Sequence, residues 1–197
     1  MTRKSISILL VTLLPVAAIV LLIQVASAAS PKIGCLPYNL TVKTGQSFYI
    51  TVAVTDTTDL YAWQLDATYY PEYLQFIRLA PGDHLRSDGA AYYLVRPGIV
   101  TGVTTNEMRL AAYTRLRRNS GLDGNGSIAH IFFRALKQNL TGTNVTLNDI
   151  KLVDRHPLEI SKSLVNSGRC KVTISDTAPV LIQPLVGELE FLPAIRR

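Results

Sequence analysis

The run from Leu60 to Pro71 constrains the fold more than any other part of the chain, because its side chains alternate in character with a period of two. The odd positions are apolar or aromatic and include Trp63, the single tryptophan. Between Tyr61 and Tyr69 the even positions are small or polar, namely Ala62, Gln64, Asp66 and Thr68. This alternation predicts a β-strand with one buried side and one solvent-facing side. A solvent-facing side made of small and short polar groups is flat, which favours binding to another surface over catalysis in a pocket.

Short β-rich runs recur along the rest of the chain and are separated by turn residues. Besides the opening run, the predicted strands are 38–42, 48–54, 74–79, 91–95, 99–104, 108–115, 127–136, 145–147, 150–153 and 169–174. Residues 55–59 and 119–126 are predicted to be loops. From these candidate runs we expect eight or nine strands, and short strands at this spacing predict a β-sandwich or jelly roll. Crossover helices of the βαβ type are missing from the pattern, which disfavours a parallel α/β sheet.

The first 28 residues have the pattern of a secretory signal peptide. Arg3 and Lys4 precede an apolar run over residues 6–23, and Ala26-Ser27-Ala28 offers a small-x-small cleavage pattern. We expect cleavage after Ala28 and a secreted, extracellular or cell-surface protein. The alternative is an uncleaved membrane anchor, because the apolar run is close to the length of a bilayer crossing.

Removal of residues 1–28 leaves 169 residues, which suits one domain with a sizeable core. We expect this domain over residues 33–175. Residues 176–197 carry three prolines and are expected to form a linker and a short C-terminal tail. The tail ends in an aromatic-Leu-Pro-apolar-basic pattern, for which a sorting peptide and a disordered end are the two interpretations.

Two cysteines, Cys35 and Cys170, lie near the two ends of the expected domain. In a secreted chain such a pair is most simply a disulfide, with two free thiols as the alternative. The bond would close nearly the whole domain and would stabilise it by about 4–5 kcal/mol in the chain-entropy model. It would also require the first and last strands to lie side by side, since the two Cα atoms must approach within about 7 Å.

The charge of the chain gives no support for nucleic-acid binding. The net charge is +6, and it is +4 without the two basic residues of the N-terminal segment. Basic residues are scattered except for Arg115, Arg117 and Arg118, with Arg109 nearby, and no nucleic-acid-binding motif accompanies them. The prediction for this cluster is a solvated strand end or loop.

Catalysis and metal binding find little support in the residue pattern. The three histidines, at positions 84, 130 and 156, are far apart, and no Gly-x-Ser-x-Gly elbow is present. Asp123-Gly124-Asn125-Gly126-Ser127 looks like half of a calcium loop, but the twelfth position holds Arg134 where a bidentate carboxylate is required. A β-turn is the preferred interpretation, and we expect no catalytic residues, metal site or cofactor.

The order of these signals resembles the cohesin domain, the module that binds dockerin domains in cellulosome-type assemblies. The resemblance runs from about Cys35 to Ser175. It is carried by Val42-x-x-Gly45, Phe48-x-Ile50-x-Val52-x-Val54, Leu60-Tyr61-Ala62, Tyr69-Tyr70-Pro71-x-x-Leu74, Pro81-Gly82-Asp83, Gly124-Asn125-Gly126-Ser127-Ile128-Ala129-x-Ile131-x-Phe133-x-Ala135, Val145-x-Leu147 and Val172-x-Ile174. It implies a nine-stranded jelly-roll β-sandwich whose first and last strands pair. The implied function is non-catalytic binding of a dockerin-like module in an extracellular, polysaccharide-related assembly.

The resemblance also points to partner-binding positions on the wet side of the opening strand. Ala62 and Gln64 resemble dockerin contacts, and Gln64, Asp66 and Thr68 are the polar candidates. The side chain of Ala62 makes no hydrogen bond, so the identity of the partner stays open.

Related sandwich modules that bind carbohydrate share much of the pattern, so direct binding of a polysaccharide is the alternative. A sugar platform requires exposed aromatic rings. Trp63 and Tyr69 are expected in the core, which leaves Tyr70, Tyr92 and Tyr93 as candidates.

Overall fold

The computed structural model describes residues 30–183, and nearly all of this range is β-structure. Eleven strands follow one another: β1 (Lys32–Leu36), β2 (Asn39–Val42), β3 (Ser47–Tyr69), β4 (Leu74–Pro81), β5 (Ala91–Val95), β6 (Gly98–Thr101), β7 (Asn106–Leu116), β8 (Leu122–Ala135), β9 (Asn139–Asp154), β10 (Ser163–Leu164) and β11 (Arg169–Ile174). Two short 3-10 turns lie at His84–Arg86 and Val165–Gly168. The predicted all-β fold is confirmed, with eleven strands where nine were expected.

Two of the regions named above extend beyond the described residues. The expected signal peptide, residues 1–28, lies outside them, as do residues 184–197 of the expected tail. Between residues 30 and 183, no helix has the length and apolar character that a membrane crossing requires.

The 23-residue strand β3 is shared by two layers of the sheet. Its first half pairs with β1 and β8, and β4 continues beyond β8 while β10 continues beyond β1. Its second half pairs with β9 and β7, which carry β11 and β2 on one side and β5 and β6 on the other. The buried side chains of both halves belong to one hydrophobic core. Burial of each large aliphatic or phenyl group in this core contributes about 1.5–3 kcal/mol.

The buried side of β3 changes parity along the strand. The even residues from Phe48 to Val54 are buried in the first half, whereas the odd residues from Trp63 to Tyr69 are buried in the second. The sequence predicted a strand for both halves, and the buried side expected for the second half is confirmed. The predicted loop at 55–59 is wrong, because these residues continue the strand through register shifts after Val54 and Thr57. β-Bulges of this kind bend a strand and re-aim its side chains.

Side chains from β8 hold this irregular part of β3. The backbone N–H of Asp56 donates to Asn125 Oδ1 and that of Asp59 donates to Asp123 Oδ1, both at 2.7 Å. Both donors have left-handed backbones, with φ of 56° and 52°. In turn, the N–H of Gly121 donates to Asp59 Oδ1 at 2.6 Å. The predicted loop at 119–126 is therefore only partly correct, since residues from Leu122 onward form the start of β8.

The two ends of the domain meet as the disulfide prediction required. Cys35 on β1 and Cys170 on β11 are bonded, with their Cα atoms 5.8 Å apart, so the predicted bridge is confirmed. Strand β11 pairs with β9 on one side and with β2, which runs parallel to it, on the other, whereas β1 pairs with β3. The predicted first strand, 38–42, is β2 and pairs with the last strand as the family resemblance implied, whereas β1, which carries Cys35, was not predicted.

The start of the expected linker returns to the sheet. Gln46 Nε2 donates to the carbonyl of Leu181 at 2.6 Å. The side-chain amide of Gln183 bonds both the N–H and the C=O of Tyr49, at 2.8 and 2.9 Å. Because β1 covers β3 only from Thr51 onward, Gln183 satisfies backbone groups on the uncovered edge.

Candidate binding face

The second half of β3 presents its even-numbered side chains outward, at the centre of a continuous surface. The cross-strand register places Ala62 beside Thr114 and Val153, and Gln64 beside Ala112 and Lys151. Tyr93 and Val95 on β5 follow beyond Thr114 and Ala112. We call this surface the β3 face, and its residues are Ala62, Gln64, Asp66, Thr68, Tyr93, Val95, Leu110, Ala112, Thr114, Asp149, Lys151 and Val153.

One half of the β3 face is flat and made of small side chains. Ala62 and Ala112 occupy neighbouring strands and are half-buried. A shallow depression of about 220 Å³ lies here and is lined by these alanines together with Tyr93, Lys151 and Val153, among others. Pockets that hold small-molecule ligands are typically 300–1,000 Å³ and enclose most of the ligand. The shape of this region suits contact with a broad surface.

The three polar residues predicted for partner contact already make hydrogen bonds within the chain. Gln64 Nε2 donates to Asp149 Oδ2 at 2.9 Å, and Thr68 Oγ1 accepts from Asn148 Nδ2 at 2.5 Å. Asp66 Oδ1 accepts the backbone N–H of Leu110 at 2.7 Å. The structure places all four predicted positions, including Ala62, on one face, but it directs the polar groups toward neighbouring strands.

A β-bulge lies on each side of β3 next to Asp66. On β7, Ala111 faces Leu65 and Met108 faces Ala67, so Arg109 and Leu110 both stand opposite Asp66. On β9, the register shifts between Gln64 and Asp66, and Asp149 is part of the extra length.

The two bulges bring Leu110 and Asp149 into left-handed backbone conformations, with φ of 58° and 38°. For a residue with a side chain this conformation costs about 1–2 kcal/mol. Leu110 is also 54% exposed. An apolar side chain is therefore held out from the sheet beside the flat region.

An aromatic stack supports the β3 face from beneath. The ring centroids of Trp63 and Tyr113 are 6.0 Å apart, and those of Tyr92 and Tyr113 are 5.0 Å apart. Both pairs are stacked. Trp63 is 2% exposed and Tyr69 is 3% exposed, as expected for core residues. Tyr92 is packed against the core, so it does not form a platform with Tyr93.

Exposed aromatic rings do not form a row along the β3 face. Tyr93 is 62% exposed and lies near the Ala62 end. Tyr70 is also exposed but follows the opposite end of the strand. Eight residues separate Ala62 from Tyr70, which is roughly 26 Å along an extended strand. A sugar-stacking surface of several adjacent rings is therefore not formed by the predicted candidates.

The histidines take separate places, as the sequence indicated. His130 projects from the outward side of β8 and bonds Thr51 Oγ1 at 3.0 Å, but Tyr49 packs on it and it is only 6% exposed. His84 is buried near Thr57. Burial lowers the pKa of both imidazoles.

His156 belongs to the one group of potential metal ligands found within residues 30–183, together with Asp59 and Asp154. Asp154 Oδ1 accepts the N–H groups of His156 and Leu158, and Asp59 accepts that of Gly121. These contacts give the two carboxylates structural roles in turns.

The sequence reasoning missed seven residues of the β3 face, namely Val95, Leu110, Ala112, Thr114, Asp149, Lys151 and Val153. Leu110 breaks the alternation of β7, because it is an apolar residue next to the buried Ala111. Asp149 separates two strand runs that were predicted as distinct, 145–147 and 150–153, and the structure joins them in β9. Both irregularities are visible in the sequence as interruptions, and both mark bulges.

The comparisons with known proteins agree with this architecture. The model of the family described as "Cohesin domain" matches residues 37–172, which is more than two thirds of the chain. No curated protein matches the chain.

Several solved structures resemble the fold at low sequence identity. A non-cellulosomal cohesin from the hyperthermophilic archaeon Archaeoglobus fulgidus is 16% identical, covers 75% of this chain and 92% of its own, and has a TM-score of 0.55. The cohesin of the Coh-OlpC–Doc435 complex from Clostridium thermocellum is 12% identical, and the match covers 75% of this chain and 96% of that cohesin, with a TM-score of 0.56. The sixth cohesin of scaffoldin B from Acetivibrio cellulolyticus, solved with a Cel5 dockerin mutant, is 10% identical. The match covers 75% of this chain and 100% of that cohesin, with a TM-score of 0.57.

Proposed function

The chain belongs to the cohesin domain family, and from this premise we propose that it is a secreted module that binds a dockerin-like protein module through the β3 face. Cohesin domains are non-catalytic binding modules. Solved relatives with this fold were obtained in complex with dockerins. The proposal carries this kind of partner over to the present chain.

The observation that carries the proposal is the flat region around Ala62 and Ala112, bordered by the exposed side chains of Tyr93, Leu110 and Lys151. Cores of protein interfaces are apolar and enriched in aromatic residues, and a polar rim surrounds them. Small side chains at the centre allow the partner's backbone to approach closely. Asp149 and Lys151 supply polar groups at the border.

A titration with a blocking variant tests the proposal. Purified protein is titrated in a calorimeter with a panel of calcium-loaded dockerin modules and with soluble polysaccharides. We expect heat of binding with at least one dockerin, and loss of at least 100-fold in affinity for Ala62→Arg, which places a long charged side chain on the flat region. Binding of polysaccharide only would favour the carbohydrate alternative and overturn the proposal, as would the absence of any binding.

We further propose that residues 1–28 are removed on export and that the domain functions outside the cytoplasm. A buried disulfide supports this location, because such bonds persist in oxidising compartments. Mass spectrometry of the protein recovered from culture medium is expected to show Ala29 as the first residue. An intact N-terminus in the membrane fraction would favour the anchor instead.

The last ten residues are proposed to direct surface attachment or sorting. This proposal rests on the aromatic-Leu-Pro-apolar-basic pattern of residues 190–197. Deletion of residues 188–197 is expected to shift the protein from the cell-associated fraction to the medium. An unchanged distribution would contradict it.

A further inference from the structure

We propose that Leu110 is the apolar anchor by which the β3 face selects its partner, and that Asp66 is a positioning residue that holds it in place. The proposal rests on the proposed function, since it concerns the same face. It requires a partner whose surface carries an apolar recess opposite Leu110. Asp66 thereby acts through the backbone of a neighbouring strand and does not contact the partner itself.

The backbone of Leu110 is the first support. Its φ of 58° lies in the left-handed region, where leucine is disfavoured because its Cβ crowds the backbone. Non-glycine residues in such conformations persist where surrounding structure fixes them, and they cluster at binding sites. Here the fixing contact is the 2.7 Å hydrogen bond from the Leu110 N–H to Asp66 Oδ1.

The exposure of Leu110 is the second support. More than half of its surface is open to solvent, so the isolated domain gains little from this leucine. Strain and exposure both oppose stability in the free protein. Contact with an external apolar surface would give the side chain a favourable environment.

The geometry of the bulge explains why Asp66 is required. Because Arg109 and Leu110 both stand opposite Asp66, the regular ladder is interrupted at this level. The Asp66 carboxylate accepts the N–H that the strand would otherwise leave without a ladder partner, and hydrogen bonds to an ionised acceptor are the stronger kind. An aliphatic residue at position 66 would leave the bulge free to rearrange.

The bulge on the other side of β3 also contains a residue with a left-handed backbone, but its contact with β3 is made through its side chain. Asp149 on β9 also has a left-handed backbone, and Gln64 holds its carboxylate at 2.9 Å. Strands β7 and β9 are the two immediate neighbours of β3, so the two bulges are roughly 10 Å apart. The β3 face therefore presents an apolar projection and an acidic projection on either side of Asp66, and we assign the anchor role to the apolar one.

The experiment uses the dockerin module that binds most tightly in the panel above. Leu110→Ala and Leu110→Gly are each expected to weaken binding at least 10-fold, and Leu110→Gly is expected to leave the folded state at least as stable, because glycine adopts positive φ readily. Leu140→Ala, which truncates another exposed leucine outside the β3 face, is the matched control and is expected to leave affinity within twofold.

The positioning role has its own readouts. Asp66→Ala is expected to weaken binding as much as Leu110→Ala, and the double variant is expected to be no weaker than either single variant within about twofold, because one residue acts through the other. Asp66→Asn keeps an acceptor oxygen and is expected to restore most of the affinity. Hydrogen exchange at the Leu110 amide is expected to accelerate in Asp66→Ala.

The outcomes separate this inference from the proposed function. A dockerin that is blocked by Ala62→Arg but tolerates Leu110→Ala would overturn the anchor alone. Additive losses in the double variant, or a loss of stability in Asp66→Ala with unchanged affinity, would overturn the positioning role. Absence of binding to every dockerin, or binding that tolerates Ala62→Arg, would overturn the proposed function and the anchor with it.

Discussion

Arg115 and Asp88 form an ion pair in which only one partner is buried: the Arg115 side chain is fully enclosed, whereas that of Asp88 is 37% exposed, and Nη2 and Oδ2 are 2.5 Å apart. Within residues 30–183, Arg115 Nε and Nη1 have no hydrogen-bond partner. The prediction that the arginine cluster is solvated is therefore wrong for Arg115. A buried guanidinium depends strongly on its single carboxylate.

The asymmetry of this pair predicts unequal costs for its two partners. Asp88→Ala leaves a buried charge unpaired and is expected to lower the free energy of unfolding by about 3–5 kcal/mol. Arg115→Met removes the buried charge while Asp88 remains hydrated, so a change within about 1 kcal/mol is expected. Urea unfolding measures both costs. The control is Asp83→Ala, which removes the acid of the Arg86–Asp83 ion pair, where the Asp83 side chain is 78% exposed. Equal costs for the two substitutions would contradict the explanation.

Loss of the disulfide is expected to destabilise the domain strongly. Cys35 and Cys170 are 135 positions apart, so the bond closes a very long loop in the unfolded chain. The double substitution of both cysteines by alanine is expected to cost about 4–5 kcal/mol in the chain-entropy model. For a domain of this size that corresponds to a fall in Tm of about 10–20 °C. Calorimetry with and without reductant checks it, and the variant itself is expected to show no response to reductant.

Substitutions of neighbouring residues on opposite sides of β3 are expected to have unequal costs in stability. Trp63→Ala removes a buried ring that stacks near Tyr113 and is expected to cost about 3–5 kcal/mol. Gln64→Ala removes one bond to Asp149 at an exposed position and is expected to cost about 1 kcal/mol or less. Denaturant unfolding gives both values. A large cost for Gln64→Ala would mean that the outward side also supports the fold.

The buried histidines predict a loss of stability at mildly acidic pH. Burial lowers the pKa of His84 and His130, and the charge of Arg115 lowers that of His84 further. Their native pKa values therefore lie below the ordinary value near 6.5, and the unfolded chain binds more protons. Stability is complete above about pH 6.5 and falls as pH drops toward the native pKa values, by about 1.4 kcal/mol for each unit of lowering.

Unfolding in urea at pH 8 and pH 5 checks this dependence. The carboxyl groups with lowered pKa, such as Glu72 beside Lys137, lose their contribution only below their ordinary value of 4.5, so this window isolates the histidines. His130→Gln is expected to reduce the difference in stability between the two pH values. Equal stability of the native chain at both pH values would contradict the prediction.

The Asp123–Asn125 segment is expected to stabilise β3 without calcium. Its side chains accept the backbone N–H groups of Asp59 and Asp56 in the bulged part of the strand. Asp123→Ala and Asn125→Ala are each expected to cost about 1 kcal/mol. Addition of millimolar calcium is expected to leave the Tm of the native chain unchanged. A rise in Tm that disappears in Asp123→Ala would show that the segment binds the ion.

The sequence predicted those features that depend on local alternation. Both halves of β3 were predicted as strands, because residues such as Ile50 and Leu65 belong to a period of two within their own segment, and the odd-numbered buried side of the second half was predicted correctly. The continuity of the strand between them was not predictable, since it depends on hydrogen bonds to residues more than 60 positions away.

The same distinction holds at the β3 face. Position 66 was correctly predicted to lie outward, but its bond to Leu110 joins residues 44 positions apart on different strands. The left-handed backbone of Leu110 has no local signal such as glycine. Leucine at this place follows from contacts that only the assembled sheet provides.

The bond between Cys35 and Cys170 also determines how the domain responds to tension. A pulling force applied to the chain before residue 35 and after residue 170 passes through the covalent bridge and not through the residues between them. The closed loop from Cys35 to Cys170, which includes the whole β3 face, cannot be drawn out by such a force while the bond is intact. Extension is then limited to the segments outside the loop, including the ends of β1 and β11 that pair with β3 and β9.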